Sequence, residues 1–397
     1  MRIKMKNEQN EIVSNKAETV DKDYDNGKCA GRKHYIDNIR WTTVVLVIVY
    51  HAIYMFNSLG IITNLAEPGI PEMDFLCAIV YPWFMVLLFV VAGMSARYSL
   101  EKRGGKTFAK DRTLKLLIPS FAIIFIFGWV NGWITDLEID MFKDAPVAVP
   151  GIIKFAVYCL SGIGPMWFAR ELFFASMLLL LIRKIDKKDK LYELGGKANI
   201  IVLIALFIAV WISSFLFNTP IIEVYRNGIY FFTFFLGYYV FSHEEVTDKL
   251  VKWKIPLLIA TVLAGVGYGL LFYGENYTTK ECLRHIVTNL YCWMAVLAII
   301  GCFKAWFNKT NAFATYMTKA NFAFYVLHYT VMLVYAYLWV RNTDFPLIWH
   351  YIVPLVATLI TLPVLYEILK RIPVLRFLIL GIMKPAKKKE VKEEKAS

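Results

Sequence analysis

The sequence predicts an all-α polytopic membrane protein with about ten transmembrane helices and both termini cytoplasmic. Three observations carry that expectation. Of 397 residues, 58% are hydrophobic and only 19% charged, and the mean hydropathy is +0.51, unlike a soluble globular chain. The charges collect in short blocks between apolar runs of about 20 residues, the length that crosses a roughly 30 Å hydrocarbon core as a helix. The basic residues crowd into alternate loops, as the positive-inside rule requires. The runs lack period-two alternation, which argues for helices rather than a barrel. The net charge of +13 would suggest nucleic acid in a soluble chain. Here it reports topology, and the sequence carries no RNA or DNA motif.

Taken in order, residues 1–33 are polar and mixed in sign, without the apolar stretch of a cleaved signal peptide. They read as a disordered cytoplasmic tail, and the first span as a retained anchor. The membrane domain covers 34–383, with spans expected at 41–60, 76–96, 114–135, 165–182, 199–217, 226–242, 255–273, 284–303, 321–340 and 347–369. The segment Pro150–Ser161 is too short to cross and is expected to lie at the interface or re-enter. Residues 384–397 form a second charged tail, again expected to be disordered and cytoplasmic. No internal repeat and no soluble second domain is discernible.

Orientation follows from loop charge. Arg97, Lys102, Arg103, Lys106, Lys110, Arg112 and Lys115 follow the second span, and a second basic block follows the fourth, from Arg183 to Lys197. The loop 61–75 has no base and carries Glu67, Glu72 and Asp74. Both termini then fall in the cytoplasm, consistent with an even number of spans. The six cysteines, Cys29, Cys77, Cys159, Cys282, Cys292 and Cys302, form no CxxC pair. Free thiols are expected, with no metal site and no disulfide framework.

The candidate chemistry begins with Arg40 and His51. Eleven helical steps of about 1.5 Å place His51 roughly 16 Å beyond Arg40, near the bilayer centre. An ionisable group at that depth is a functional candidate. Of six histidines, His34, His243, His285 and His350 fall at membrane faces or outside, leaving His51 and His328 within spans. His328 is expected about 10 Å deep from Asn321, so the two rings could share the cytoplasmic half of one site. Imidazole can accept and return a proton near neutral pH; a hydrogen-bonded structural role is the alternative for each. Asp37 shares a helix face with Arg40. The two form either an interfacial ion pair or a cationic port for an anion arriving from the cytoplasm. Arg112 and Lys115, one turn apart, are either topological charge or a clamp for a diphosphate. In the fourth span, Trp167 precedes Arg170 and Glu171, adjacent opposite charges that should not face lipid. They either line the bundle as a structural pair or contact substrate.

With these residues assembled, the chain resembles the integral-membrane acyltransferase family 3, which includes cell-surface polysaccharide O-acyltransferases and glucan succinyltransferases. Tyr35-Ile-Asp37-Asn-Ile-Arg40 followed by His51 looks like the family's Asp-x-x-Arg-x10-His signature. Phe89-Val-Val-Ala-Gly93-Met-Ser-Ala, then Arg112-x-x-Lys115 and Pro119, is similar to its second-span end and Arg-x-x-Arg. Gly164-Pro-Met-Trp167-Phe and Phe324-Tyr-Val-Leu-His328 look like its fourth-span entry and late histidine segment. The four lie in family order from residue 35 to 328. Lys115 stands where an arginine is usual, losing the bidentate fork. Glu171 is one residue earlier than a subgroup's glutamate. The hydrolase-like periplasmic extension is absent, so an acceptor must meet the membrane domain or a partner.

The resemblance implies an O-acyltransferase of the cell membrane, a bacterial plasma membrane in this reading. It would move an acetyl or succinyl group from cytoplasmic acyl-CoA, a donor substrate rather than a resident cofactor, to a hydroxyl of an extracytoplasmic glycan or lipid-linked sugar. His51 would be the base or acyl carrier, supported by Arg40 and His328. Arg112, Lys115 and Asp37 would belong to the donor side, and Trp167, Arg170 and Glu171 to the acceptor side. The rival expectation is a proton-coupled secondary transporter or flippase using the same ionisable groups as a relay. A receptor or scaffold leaves the Arg40–His51 pair unexplained.

Overall fold

The computed structural model describes residues 32–217 and 226–382. The tail 384–397, Cys29, and the tail 1–33 apart from Arg32 and Lys33 lie outside the described residues. Within them every regular element is helical. Eight helices are long and apolar enough to cross a membrane: α1 (His34–Tyr54), α2 (Pro71–Lys102), α3 (Gly105–Ile139), α5 (Gly164–Ile185), α10 (Lys254–Phe272), α12 (Ile286–Trp306), α13 (Ala312–Asn342) and α14 (Ile348–Leu369). The protein is an all-α, multi-pass membrane protein. Shorter helices fill the connections: α4 (Gly151–Ser161), α6 (Lys190–Gly196), α9 (Glu244–Lys252), α11 (Lys280–Arg284) and α15 (Pro373–Leu380).

The fifth and sixth expected spans are shorter than the sequence suggested. Helix α7 (Ile200–Ser213) has 14 residues, about 21 Å of rise, less than the hydrocarbon thickness. Helix α8 (Asn227–Leu236) continues through a π-helical turn, Gly237–Phe241. Residues 218–225, between the two helices, are outside the described residues.

Four helices, α1, α2, α3 and α13, begin earlier than hydropathy implied, and the reasons are visible at α1 and α13. The polar entry of α1 packs on protein rather than lipid. Asn38 donates to the carbonyls of Phe307 (2.7 Å) and Lys309 (2.8 Å), and Asp37 accepts from Arg32 (2.8 Å). The helix therefore runs from His34, not 41. It stops at Tyr54, not 60, because Ser58 donates through its backbone N–H and hydroxyl to Asp74 (2.7 and 2.6 Å). Helix α13 begins at Ala312, not 321, where the Asn311 side chain caps it by accepting from the Ala314 N–H (2.8 Å).

Helix α1 packs against α2, α12, α13 and α14 at the centre of the bundle, with α8 laid on α2, α10 on α12, and α3 and α5 on one flank. The outer helices show lipid-facing stripes: Leu263, Val266 and Leu270 on α10, Val356, Ile360 and Val364 on α14. Helices α2 and α8 touch backbone to backbone. A Cβ added at Gly93 would lie 1.9 Å from the Phe234 carbonyl oxygen, and one at Gly237 2.0 Å from that of Val90. Small residues at such a crossing replace the hydrophobic drive that lipid removes.

One end of the bundle gathers the basic loops. Lys33 pairs with Glu244, which also meets Lys304 (2.6 Å), and Lys304 reaches Asp248 (2.9 Å). Arg97 pairs with Asp189 (2.7 Å), and Lys249 donates to the Ala198 carbonyl (2.7 Å). Contacts such as Glu138–Arg341 (2.7 Å) and Asn64–Thr135 (2.6 Å) belong to the opposite, base-poor end. Partial burial alone would raise the Glu244 carboxyl, but the Lys304 and Lys33 ammonium groups outweigh it and hold it below the usual range.

Two outcomes follow from this packing. Gly93→Val should lower the thermal midpoint in detergent by an amount corresponding to about 1–3 kcal/mol or more. Gly104→Ala, with nothing within 4 Å of the new methyl, should leave it unchanged. Because the folded Glu244 value is depressed, its contribution is present above the unfolded carboxyl range, about 4.3, and is lost as pH falls through the folded value. A pH series of melting curves should show a smaller acid-side decline for Glu244→Gln than for wild type.

Candidate active site

Helices α1 and α13 pack together and run parallel, both starting at the basic end, where the Tyr35 N–H donates to the Asn308 side chain (3.1 Å). His51 lies 17 residues after His34 and His328 lies 16 after Ala312. Equal rises of roughly 25 Å bring the two rings to one level. The earlier helix starts carry both histidines farther from the basic end than hydropathy implied, with His51 in the last turn of α1. They meet about 25 Å of helix rise from the basic end, in the last turn of α1 and midway along α13.

The ring nitrogens Nε2 of His328 and Nδ1 of His51 are 3.2 Å apart. His328 is wholly buried and His51 half-buried. The tautomers follow from the other partners. His328 Nδ1 faces the Tyr325 (2.7 Å) and Phe324 (3.2 Å) carbonyls, and His51 Nδ1 faces the Val47 carbonyl (2.8 Å). A carbonyl only accepts, so both Nδ1 atoms carry the proton. His328 Nε2 is then a lone pair that shares the His51 N–H with Val47. His51 Nε2 is left as a lone pair with no hydrogen-bond partner among the described residues, on the half-exposed ring: the position from which an imidazole acts as a base.

Aromatic rings hold the pair. Tyr50 and Tyr329 meet His51 edge-on, at centroid distances of 5.3 and 5.2 Å. Tyr329 donates to the Asn64 side chain, which in turn donates to Thr135 (2.6 Å). Sequence reasoning did not single out these tyrosines. Their only signal was adjacency to the two histidines, lost among 23 tyrosines.

Arg40, two turns into α1, is fixed by Asp37 (3.3 Å) and by the Ser95 hydroxyl on α2. Asp37 is therefore an ion-pair partner to Arg40 as well as to Arg32. Arg112 lies near enough to Arg40 for their charges to interact and covers the Phe108 ring at 4.8 Å. Its guanidinium makes no salt bridge among the described residues. Lys115 diverges from it. Residues Thr113–Leu117 form a π-helical turn, whose wider winding takes residues three apart off a common face. Lys115 is exposed, and its backbone packs against Gly381 after α15.

Helix α5 begins beside the tyrosines that flank the histidine pair. Gly164 adopts φ +55°, and a Cβ there would lie 3.3 Å from the Tyr329 ring. The Tyr325 hydroxyl donates to the Pro165 carbonyl. Trp167 stacks on Tyr230 (5.5 Å, 24°), and Phe168 meets Tyr325 edge-on (5.6 Å). Arg170 and Glu171 are buried, facing the bundle and not lipid, with the Arg170 guanidinium 6.0 Å from the Phe121 ring.

The described helices form a multi-pass bundle with an imidazole pair inside it. Residues 33–367 match the acyltransferase family 3 model, described as an acyltransferase domain, and the chain belongs to that family. It is a membrane acyltransferase. Among its relatives, glucans biosynthesis protein C of Shigella boydii serotype 4 is 24% identical over 390 residues, covering 91% of this chain and 97% of the relative. The protein of that name from Escherichia coli strain SMS-3-5 shows the same identity and coverage. No solved structure matches.

His328→Leu removes one hydrogen bond that becomes charge-assisted when His51 is protonated. Such bonds contribute about 1.5–3 kcal/mol, so steady-state kinetics should show kcat lower by roughly 10- to 100-fold with KM little changed. A KM effect with normal kcat would place His328 in ground-state binding instead.

Proposed function

We propose that the protein transfers an acyl group, acetyl or succinyl, from acyl-CoA at the basic end to a hydroxyl of an extracytoplasmic glycan or lipid-linked sugar. The single observation that carries the reading is the His51 ring, whose Nδ1–H is held by Val47 and His328 while Nε2 stays bare. In the proposed step, Nε2 takes the proton of the acceptor hydroxyl and the oxygen attacks the thioester carbonyl. The C–O bond forms and the C–S bond breaks as the tetrahedral intermediate collapses. The CoA thiolate leaves and takes the proton back from His51. His328 supports the transient imidazolium by accepting its Nδ1–H.

The donor side is supported by charge and reach. Arg40 and Arg112 are neighbouring cations, and a diphosphate is well matched to guanidinium groups. Eleven residues along α1 separate Arg40 from His51, about 16 Å, a distance an extended pantetheine arm can bridge. The base-poor end, nearer the histidines, is then the entry for the acceptor. The relatives named for glucan biosynthesis support a glycan in that role.

The test uses the purified full-length chain with labelled acetyl-CoA or succinyl-CoA and a surface-glycan extract. Wild type should label the glycan. His51→Ala, with an unchanged elution profile and melting curve, should lose at least about 100-fold. Acyl transfer that survives in His51→Ala would overturn the assignment.

A further inference from the structure

Arg226, immediately before α8, is 1% exposed in the interior of the bundle. Its Nη1 donates to the Pro82 carbonyl (3.0 Å), at the break between the two halves of α2, while Nε and Nη2 have no hydrogen-bond partner among the described residues. The neighbours are Tyr230, whose ring lies 5.8 Å away, Tyr81 and the Cys292 thiol. Among the described residues no carboxylate lies within salt-bridge reach. Other arginines of the bundle are treated differently: Arg97 has Glu101 and Asp189, and Arg341 has Glu138. A guanidinium has five N–H donors, and an unpaired charge away from water is strongly disfavoured.

Its position links it to the histidine pair by two routes. Tyr81 stacks on Tyr50 (6.0 Å, 26°), and Tyr50 meets His51 edge-on. Tyr230 stacks on Trp167, and Trp167 contacts Phe168, which meets Tyr325, whose carbonyl binds His328. A small anion held at Arg226 would therefore leave the rest of its molecule among rings that lead to His51.

We propose that Arg226 is the receptor for an oxyanion carried by one of the substrates, a carboxylate or a phosphate monoester. Both match the planar fork of its free N–H groups. The inference rests on the acyl-transfer reading and deepens it, because it gives the enzyme a preference by charge. The anion is either the distal carboxylate of a dicarboxylic acyl group or an acidic group on the acceptor sugar. An acyl group or sugar without such an anion leaves the guanidinium without a carboxylate or phosphate partner among the described residues and is disfavoured.

The experiment compares wild type with Arg226→Gln, using acetyl-CoA and succinyl-CoA as donors. The acceptors are a neutral glucan oligosaccharide and the same oligosaccharide bearing a phosphate monoester. If the anion belongs to the donor, the variant loses roughly 100-fold in kcat/KM with succinyl-CoA and less than about threefold with acetyl-CoA. If it belongs to the acceptor, the loss follows the phosphorylated oligosaccharide with either donor. Equal losses for all four combinations, or no loss, overturn the proposal.

A binding measurement on wild type covers the case in which the variant does not fold. At equal concentration, either succinyl-CoA should raise the melting temperature more than acetyl-CoA, or the phosphorylated oligosaccharide more than the neutral one. Equal shifts within both pairs count against the site. Absence of transfer by wild type from any donor would sink the acyl-transfer reading, while the melting shifts would still report the anion site.

Discussion

The hydrogen bond between His51 and His328 is the interaction on which the site depends. It requires two parallel helices from distant parts of the chain to start at the same end and stay in register for more than 15 residues. The register is set by contacts remote from the histidines: Asn38 on the 307–309 turn, Tyr35 on Asn308, and the Asn311 cap of α13. A slip of one residue would rotate either ring by about 100° and part the pair. With the Val47 and Tyr325 carbonyls fixing one tautomer on each ring, the bond leaves a single lone pair available on His51.

The same economy governs the other polar groups placed in this apolar bundle. Arg40 is held between Asp37 and Ser95, and Asn289 donates to the Leu283 and His285 carbonyls. Buried polar groups are normally satisfied in this way. Against that background, Arg112 and Arg226 stand out as cations without carboxylate partners among the described residues. One lies near Arg40 toward the basic end. The other is joined to the histidines by rings. A substrate with an anionic head and a reacting centre some distance away would be complementary to the first of these and to His51 together.

Much of this was legible in the sequence. Runs of about 20 apolar residues and alternating loop charge gave the helical, multi-pass fold, and the Arg40–His51 spacing with the isolated His328 gave the two rings that meet. Hydropathy misplaced the start of α1 because it treats Asp37, Asn38 and Arg40 as polar flank, whereas protein contacts carry them into the helix, and it missed the start of α13, which the Asn311 cap sets. The common face assumed for Arg112 and Lys115 is lost to a π-helical turn, for which the sequence has no marker. Tyr50, Tyr329, Tyr230 and Arg226 were hidden by abundance or position. Aromatics make up 16% of the chain, and a single arginine at a span boundary reads as topology until its burial is known.

The account's central claim is that His51 and His328 act as one unit, and a double-mutant cycle on kcat/KM tests it most directly. The variants are His51→Ala, His328→Leu and the two combined, each checked for an unchanged melting curve. If His328 works only through the His51 ring, the double variant should be no slower than His51→Ala alone, because the second change removes support from a base already gone. Losses that multiply in the double variant would show the two histidines acting independently, and would contradict the account.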